Sequence, residues 1–195
     1  MKKNEYLINK KQNDYKVGVS RQEDYIRLIK LNNVNCQRAN RYEDKYEHWD
    51  LLTFIKIHEK LIVKRKDIKG IKKGLNEGYT WIELQTIDSR KGWLYGLAND
   101  IVFEMHDSFV SVKRKELKQL IEKNLIAKDI EYGTNEIYSD YDVNSDNLKY
   151  YQRYKRESWG DDDITIKVPF SDFEHLIYQK LYKKDGKLER ITGNR

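Results

Sequence analysis

The chain has 195 residues, of which 38% are hydrophobic and 12% aromatic, with 15 Tyr and 4 Trp, which is material for one domain with a packed core despite a mean hydropathy of −0.92. That composition excludes an intrinsically disordered chain, the single Cys36 excludes an intrachain disulfide or a cysteine-based zinc cluster, and no apolar run reaches bilayer-spanning length. The net charge of +6 suits a polyanionic partner without requiring one, and the expected setting is cytoplasmic, with no membrane partner.

In chain order, Ser20 and Glu23 have the form of a capping box, and Tyr25, Ile26, Leu28 and Ile29 follow at helical spacing, which predicts a helix beginning near residue 21. The Asn-rich stretch 31–35 interrupts it. A second polar, helix-compatible stretch covers 35–49 and carries Glu43, Asp44 and Glu47. Residues 49–57 and 60–70 are rich in β-branched and large apolar side chains and are separated only by His58 and Glu59, the signature of a hairpin. A loop with Gly70, Gly74 and Gly78 as hinges follows, then a strand over 79–87 with Glu83 and Gln85 on one face. Periodicity leaves 93–105 unassigned. A strand over 108–114 leads into a helix over 114–125 striped by Leu117, Leu120 and Ile121, and 127–149 reads as a loop or insertion. Strands over 150–157 and 163–168 precede a closing helix from Ser171, where Ser171 and Glu174 repeat the capping signature before Phe173, Leu176, Ile177 and Leu181. The pattern is that of a mixed α/β domain spanning 1–195.

The chemistry concentrates in the hairpin. If His58 and Glu59 form the turn, Asp50 faces Asp67, and Lys69 shares the face of Asp67 because strand side chains repeat every two residues. A slip of one residue in each arm sets Asp50 opposite Lys69 and still keeps the three together. Two carboxylates and an ammonium suit a divalent cation and a phosphate, although a D-x-K triplet also arises by chance in a chain that is 36% charged. A competing assignment uses Asp67 with Glu83-Leu84-Gln85 and is weaker, because Gln85 carries no charge. Of the four histidines, which lack metal-ligand spacing, only His48 lies beside this group. No Gly-rich phosphate loop is present. Lys64, Lys66, Lys72, Lys73, Arg90 and Lys91 form basic groups that would follow a DNA backbone if they flank the hairpin end, and Tyr150, Tyr151 and Tyr154 interleave with Arg153 and Lys155.

The segments YEDKYEHWD (42–50), RKDIKG (65–70), YTWIEL (79–84), RKGWLYGLANDIVFE (90–104), FVSVKRKEL (109–117) and YYQRYKRESWGDDDITIKVPFSDF (150–173) together resemble, in order and spacing, phage and bacterial proteins of the PD-(D/E)xK nuclease superfamily. This group includes type II restriction enzymes and some Holliday-junction resolvases. The resemblance implies a restriction-endonuclease-like central mixed sheet flanked by helices and a Mg²⁺-dependent nuclease acting on DNA in a bacterial or phage-infected cell, with Mn²⁺ able to substitute. It assigns Asp50, Asp67 and the Ile68 carbonyl as metal ligands and Lys69 as the residue beside the attacking water or phosphate. Glu43, Asp44, Glu47 or Glu83 would add a further carboxylate. Two alternatives share the fold: a catalytically silent nucleic-acid-binding or host-interaction protein, and a junction resolvase working as a homodimer. The chain departs from the family pattern at Leu97 and Asn99, where Lys and Asp are expected with Asp100 one place later, and in having His48-Trp49 rather than Pro before Asp50.

Overall fold

The two β-rich runs do form a hairpin, and the rest of the chain is assembled around it. The computed structural model describes residues 2–70, 78–86, 88–124, 153–158 and 161–191. Its elements are α1 (Lys2–Leu31), β1 (Asn35–Arg38), β2 (Leu51–Ile57), β3 (Lys60–Gly70), β4 (Tyr79–Gln85), β5 (Asp100–Glu104), β6 (Ser108–Lys113), α2 (Arg114–Asn124), β7 (Arg153–Ser158), β8 (Asp161–Pro169), a one-turn α3 (Phe170–Phe173), β9 (Ile177–Tyr182) and β10 (Leu188–Arg190). Strands β2 and β3 pair antiparallel from Ile57↔Lys60 to Leu51↔Lys66, the register expected for a turn at His58 and Glu59. His58 takes a left-handed φ of 53° there.

Seven strands form a mixed sheet in the order β1-β2-β3-β5-β6-β9-β10, and β4-β8-β7 form a second, smaller sheet. Among the described strands only β3 and β5 pair in parallel, so the chain between them must cross over. That crossover carries β4 and a short 3-10 turn, Trp93–Tyr95. Helix α1 covers one face of the large sheet, packing Tyr25, Ile26, Leu28 and Ile29 onto Leu51, Ile68, Val102 and Phe109. The small sheet and α2 cover the other face: Ile82, Ile166, Val168, Leu117 and Ile121 meet Ile101, Phe103, Val110 and Val112. Each such side chain taken fully out of water contributes about 1.5–3 kcal/mol. Cover on both faces leaves β5 and β6 buried at nearly every position instead of alternating.

The architecture is therefore mixed α/β, a large mixed sheet flanked by helices as expected, with the small sheet joining α2 on the second face. Other elements also differ from expectation. Helix α1 begins by Lys2, so Ser20 and Glu23 lie inside it and form no cap; Glu23 pairs with Arg38 instead. Its first half has no apolar stripe to betray it, since Lys, Asn and Gln predominate. The stretch 35–49 is not one helix but β1 followed by a single π-helical turn, Glu43–Glu47. Gly70 ends β3 and does not belong to a loop. The closing helix lasts one turn, and Ile177 and Leu181 belong to β9. Their spacing fits a helix, but β6 would otherwise present an unpaired edge, and β9 fills it. The segment 127–149, Lys72, Lys73, Tyr150 and Tyr151 lie outside the described residues. Among the described residues no helix is long and apolar enough to cross a membrane.

Candidate functional site

The hairpin ladder stops at Leu51↔Lys66, and Asp50 stands one residue beyond it. Its backbone is held from both sides, with Asp50 N–H donating to Lys66 O at 2.8 Å and Ala39 N–H donating to Asp50 O at 2.9 Å. Its carboxylate then takes over as acceptor where strand pairing has ended: Oδ2 accepts from Ile68 N–H at 2.6 Å and Oδ1 from Gln22 Nε2 at 2.8 Å. The Ile68 N–H and C=O point to the same edge of β3, so the Ile68 carbonyl lies along the edge that β2 has vacated. Asp67 and Lys69 share the opposite face of β3 from Ile68, with Lys69 Nζ 2.9 Å from Asp67 Oδ1 and 5.2 Å from the Trp93 ring centroid. Asp67 Oδ2 is buried and receives no hydrogen bond from any described donor. Asp50 and Asp67 are 9% and 2% exposed, whereas the Lys69 side chain is 29% exposed, which makes Lys69 the open side of the group.

The electrostatics follow from crowding two acids in a dry place. Burial, then the charge of Asp67, raises the Asp50 pKa from 3.8 to about 7, against the help of Lys69 and the Ile68 N–H. Burial also pushes Asp67 up, with Lys69 pulling it back. The two carboxyls stand close enough for one to hydrogen-bond the other when it carries a proton. For Lys69, burial opposes the charged form, but Asp67 and Asp50 outweigh it and raise its pKa, so the side chain is an ammonium at neutral pH. Asp44 belongs to the same field. The residue is exposed on the π-helical turn, yet partial shielding of its carboxyl, followed by the charge of Asp50, raises its pKa. His48 is lowered by burial and then by Lys69, and its Nε2 lies 3.1 Å from Lys91 O. A carbonyl only accepts, so Nε2 carries the hydrogen in the neutral ring.

The segment after β4 holds this arrangement in place. Gly92 N–H donates to Leu84 O at 2.8 Å, and a Cβ on Gly92 would overlap the Glu83 carbonyl. At the other end of the turn, a Cβ on Gly96 would lie 2.6 Å from His48 Cβ and 2.8 Å from Glu47 O, while Leu97 N–H donates to Glu47 O at 2.7 Å. Two close backbone approaches thus require glycine at both ends of Gly92-Trp93-Leu94-Tyr95-Gly96. Between them Trp93 packs on Phe103 and presents its ring to Lys69. This aromatic run is a clamp that joins β4, the turn before Asp50 and Lys69.

Other expected residues fall elsewhere. Glu43 accepts from Asn40 N–H at 2.7 Å, and Glu47 accepts from Trp49 Nε1 at 2.8 Å, so both serve the turn and not the acid pair. Glu83 contributes its charge to Lys69 from β4. Gln85 pairs with Ile164 and bridges to Lys91 at the irregular end of β4. Arg90 and Lys91 lie beside the π-helical turn, Arg90 Nη1 donating to Lys45 O at 3.2 Å. Lys64 and Lys66 do not flank the acid pair. They project from the α1 side of β3, where buried Lys66 sits 3.0 Å and Lys64 3.6 Å from Asp100 Oδ2, so Lys66 is unavailable to a DNA backbone. Asp100 is thereby spoken for on the opposite face from Asp67. Leu97 is exposed, and Asn99 Oδ1 accepts from Arg65 N–H at 2.8 Å, binding β5 to β3. Sequence reasoning missed Gln22, which reaches the site from a helix that carries no motif, and the role of Trp93 beneath Lys69.

Among the described residues no three acidic, histidine or cysteine side chains come together in a group able to hold a metal ion, so the protein's own share would be two carboxylates and a backbone carbonyl. That share fits Mg²⁺, which keeps several waters and asks for only one or two carboxylates. An acceptor oxygen without a described donor, and a buried acid pair in which the charge of Asp67 raises Asp50, are also the features a cation would relieve. Comparisons of the chain with protein-family models, with curated proteins and with solved structures find no match.

Proposed function

We propose that the protein is a Mg²⁺-dependent nuclease on a restriction-endonuclease-like fold, hydrolysing phosphodiester bonds of DNA. The observation that carries this reading is Asp50 and Asp67 brought together at the end of β2 and β3, with Asp67 Oδ2 lacking a donor and Lys69 Nζ at 2.9 Å on its other oxygen. The parallel placement of β5 beside β3 supports the fold reading, since it puts the D-x-K strand in the middle of a mixed sheet.

Asp50, Asp67 and the Ile68 carbonyl would hold the metal. When bound, Mg²⁺ supplies a Lewis acid that polarises the phosphate and lowers the pKa of an attacking water. Lys69 keeps its proton and offsets negative charge as it builds on the phosphoryl oxygens, which makes it a charge stabiliser and not a base. Gln22 and the Ile68 N–H orient Asp50 so that its carboxylate need not reorganise during the reaction. Buried Trp93 screens one side of the ammonium from water.

The test pairs cleavage with metal binding. Purified protein with Mg²⁺ cuts or nicks DNA among linear, supercoiled, single-stranded and branched forms, and titration calorimetry detects Mg²⁺ binding. Asp67→Asn loses both while keeping a cooperative melt. An Asp67→Asn variant that cuts as well as the parent would end the proposal.

A further inference from the structure

The π-helical turn that carries Asp44 toward the acid pair turns a different surface outward. Tyr42 and Tyr46 are 63% and 48% exposed, and their rings lie 4.9 Å apart between centroids at an interplanar angle of 35°. Arg90 Cζ stands 4.5 Å and Lys45 Nζ 5.1 Å from the Tyr46 centroid. Arg41, Tyr42, Lys45 and Tyr46 line a cavity of about 330 Å³. Rings this exposed add little to the core, so packing does not account for them. The backbone that carries them is held: Asn40 Oδ1 accepts from Tyr42 N–H at 2.9 Å, Arg90 Nη1 donates to Lys45 O, and Leu97 N–H donates to Glu47 O. Two adjacent aromatic rings beside Arg41, Lys45 and Arg90, the last also paired with Asp88 at 2.6 Å, on a turn held by hydrogen bonds, match what unpaired bases need: π-faces to stack on, with positive charge from Arg41 and Lys45 for the phosphates. Bases inside a duplex are already stacked on each other and cannot use such a surface.

We propose that Tyr42 and Tyr46, with Arg41, Lys45 and Arg90, form a platform that binds single-stranded nucleic acid and delivers it to Asp50, Asp67 and Lys69. The stacking stands by itself, whereas the delivery rests on the nuclease reading above. The turn ends at Glu47, shortly before Asp50 in the chain, and Leu97 N–H holds Glu47 O at 2.7 Å against the glycine-bounded run whose Trp93 faces Lys69, so the platform adjoins the acid pair. The platform thus selects single-stranded or locally unpaired substrate.

The experiment measures binding of fluorescein-labelled oligothymidylate and of a blunt duplex to the full chain in EDTA, by anisotropy, with an oligouridylate arm to separate DNA from RNA as the source of the bases. The single strand binds more tightly than the duplex. Tyr42→Ala with Tyr46→Ala weakens single-strand binding about tenfold or more, while Tyr42→Phe with Tyr46→Phe stays within about twofold of the parent. Circular dichroism and thermal melts are unchanged in both variants because the rings are exposed. Equal affinity for the two DNA forms, or an alanine variant that binds as the parent does, overturns the platform. Cleavage assays in Mg²⁺ separate the two proposals. If the alanine pair loses single-strand binding but no protein cuts DNA, the platform stands and the nuclease reading falls; if the alanine pair cuts single strands at the parent's rate, the platform falls and the nuclease reading stands.

Discussion

Strand β3 places an Asp or Lys on each of its faces, and the two faces have opposite characters. Toward α1, Lys66 meets Asp100 at 3.0 Å, both nearly inaccessible, and burial of the ammonium is outweighed by Tyr25, Asp100 and Tyr178, which keep it charged. Toward the small sheet, Lys69 meets Asp67 at 2.9 Å, but Asp50 makes a second acid against the one base, and an oxygen is left without a donor. One face sets two lysines, Lys66 at 3.0 Å and Lys64 at 3.6 Å, on a single buried acid and belongs to the structure. The other is short of positive charge, the condition that a divalent cation corrects. Residue types alone do not distinguish them. The count of acids per cation does.

Breaking the face toward α1 has the largest effect. Asp100→Asn leaves the Lys66 ammonium buried without its counter-charge and lowers the unfolding free energy by about 3–5 kcal/mol in denaturant titration, whereas replacing both partners with apolar residues recovers most of that loss. A small change on Asp100→Asn would show that Lys66 has other means of support and would blur the contrast.

The unbalanced face is sharpened by pH. Asp50 rises from 3.8 to about 7 in the folded protein, so the fold binds a proton that the unfolded chain has given up. Its contribution is fully present below pH 3.8 and is lost as pH rises through 7, up to about 4 kcal/mol in the metal-free protein. Asp50→Asn removes this slope from melts recorded across pH 4 to 8 in EDTA, about the window between the two values. Mg²⁺ restores stability at the alkaline end in the parent and not in Asp50→Asn. A parent whose melts show no such slope would mean that the acids are not crowded as described.

The finest distinction concerns Lys69. Lys69→Met lowers cleavage about 100- to 1000-fold at saturating Mg²⁺ while calorimetry still shows metal binding, because the ammonium stabilises charge and ligates nothing. Loss of metal binding in that variant would make Lys69 structural, like Lys66.

The hairpin was legible because its signals are local. A short connection between β-rich arms limits the register to neighbouring choices, and a period of two keeps Asp50, Asp67 and Lys69 together in either, so the three could be grouped from the chain alone. Helix α2 was legible for the same reason, its Leu117 and Ile121 stripe lying within one continuous element. The first half of α1 was not, because nothing in its composition marks a face. The end of the chain misled because Phe173, Leu176, Ile177 and Leu181 satisfy a helical spacing equally well, and the decision lay with β6, far away in sequence, whose edge needed a partner. Lys66 misled in the same way: it sits among surface-like lysines but is buried by a crossover that brings Asp100 beside it.

The sequence by itself determined the hairpin and the grouping of three residues at its head, since these depend on turn length and side-chain alternation within one short stretch of chain. Only the tertiary structure decided which acids face water or each other, which lysine is a structural counter-ion, and that Gln22, Trp93 and Asp44 converge on the site. Burial and Coulomb interactions act through space between segments that no local pattern connects, and they set the charge balance from which the chemistry follows.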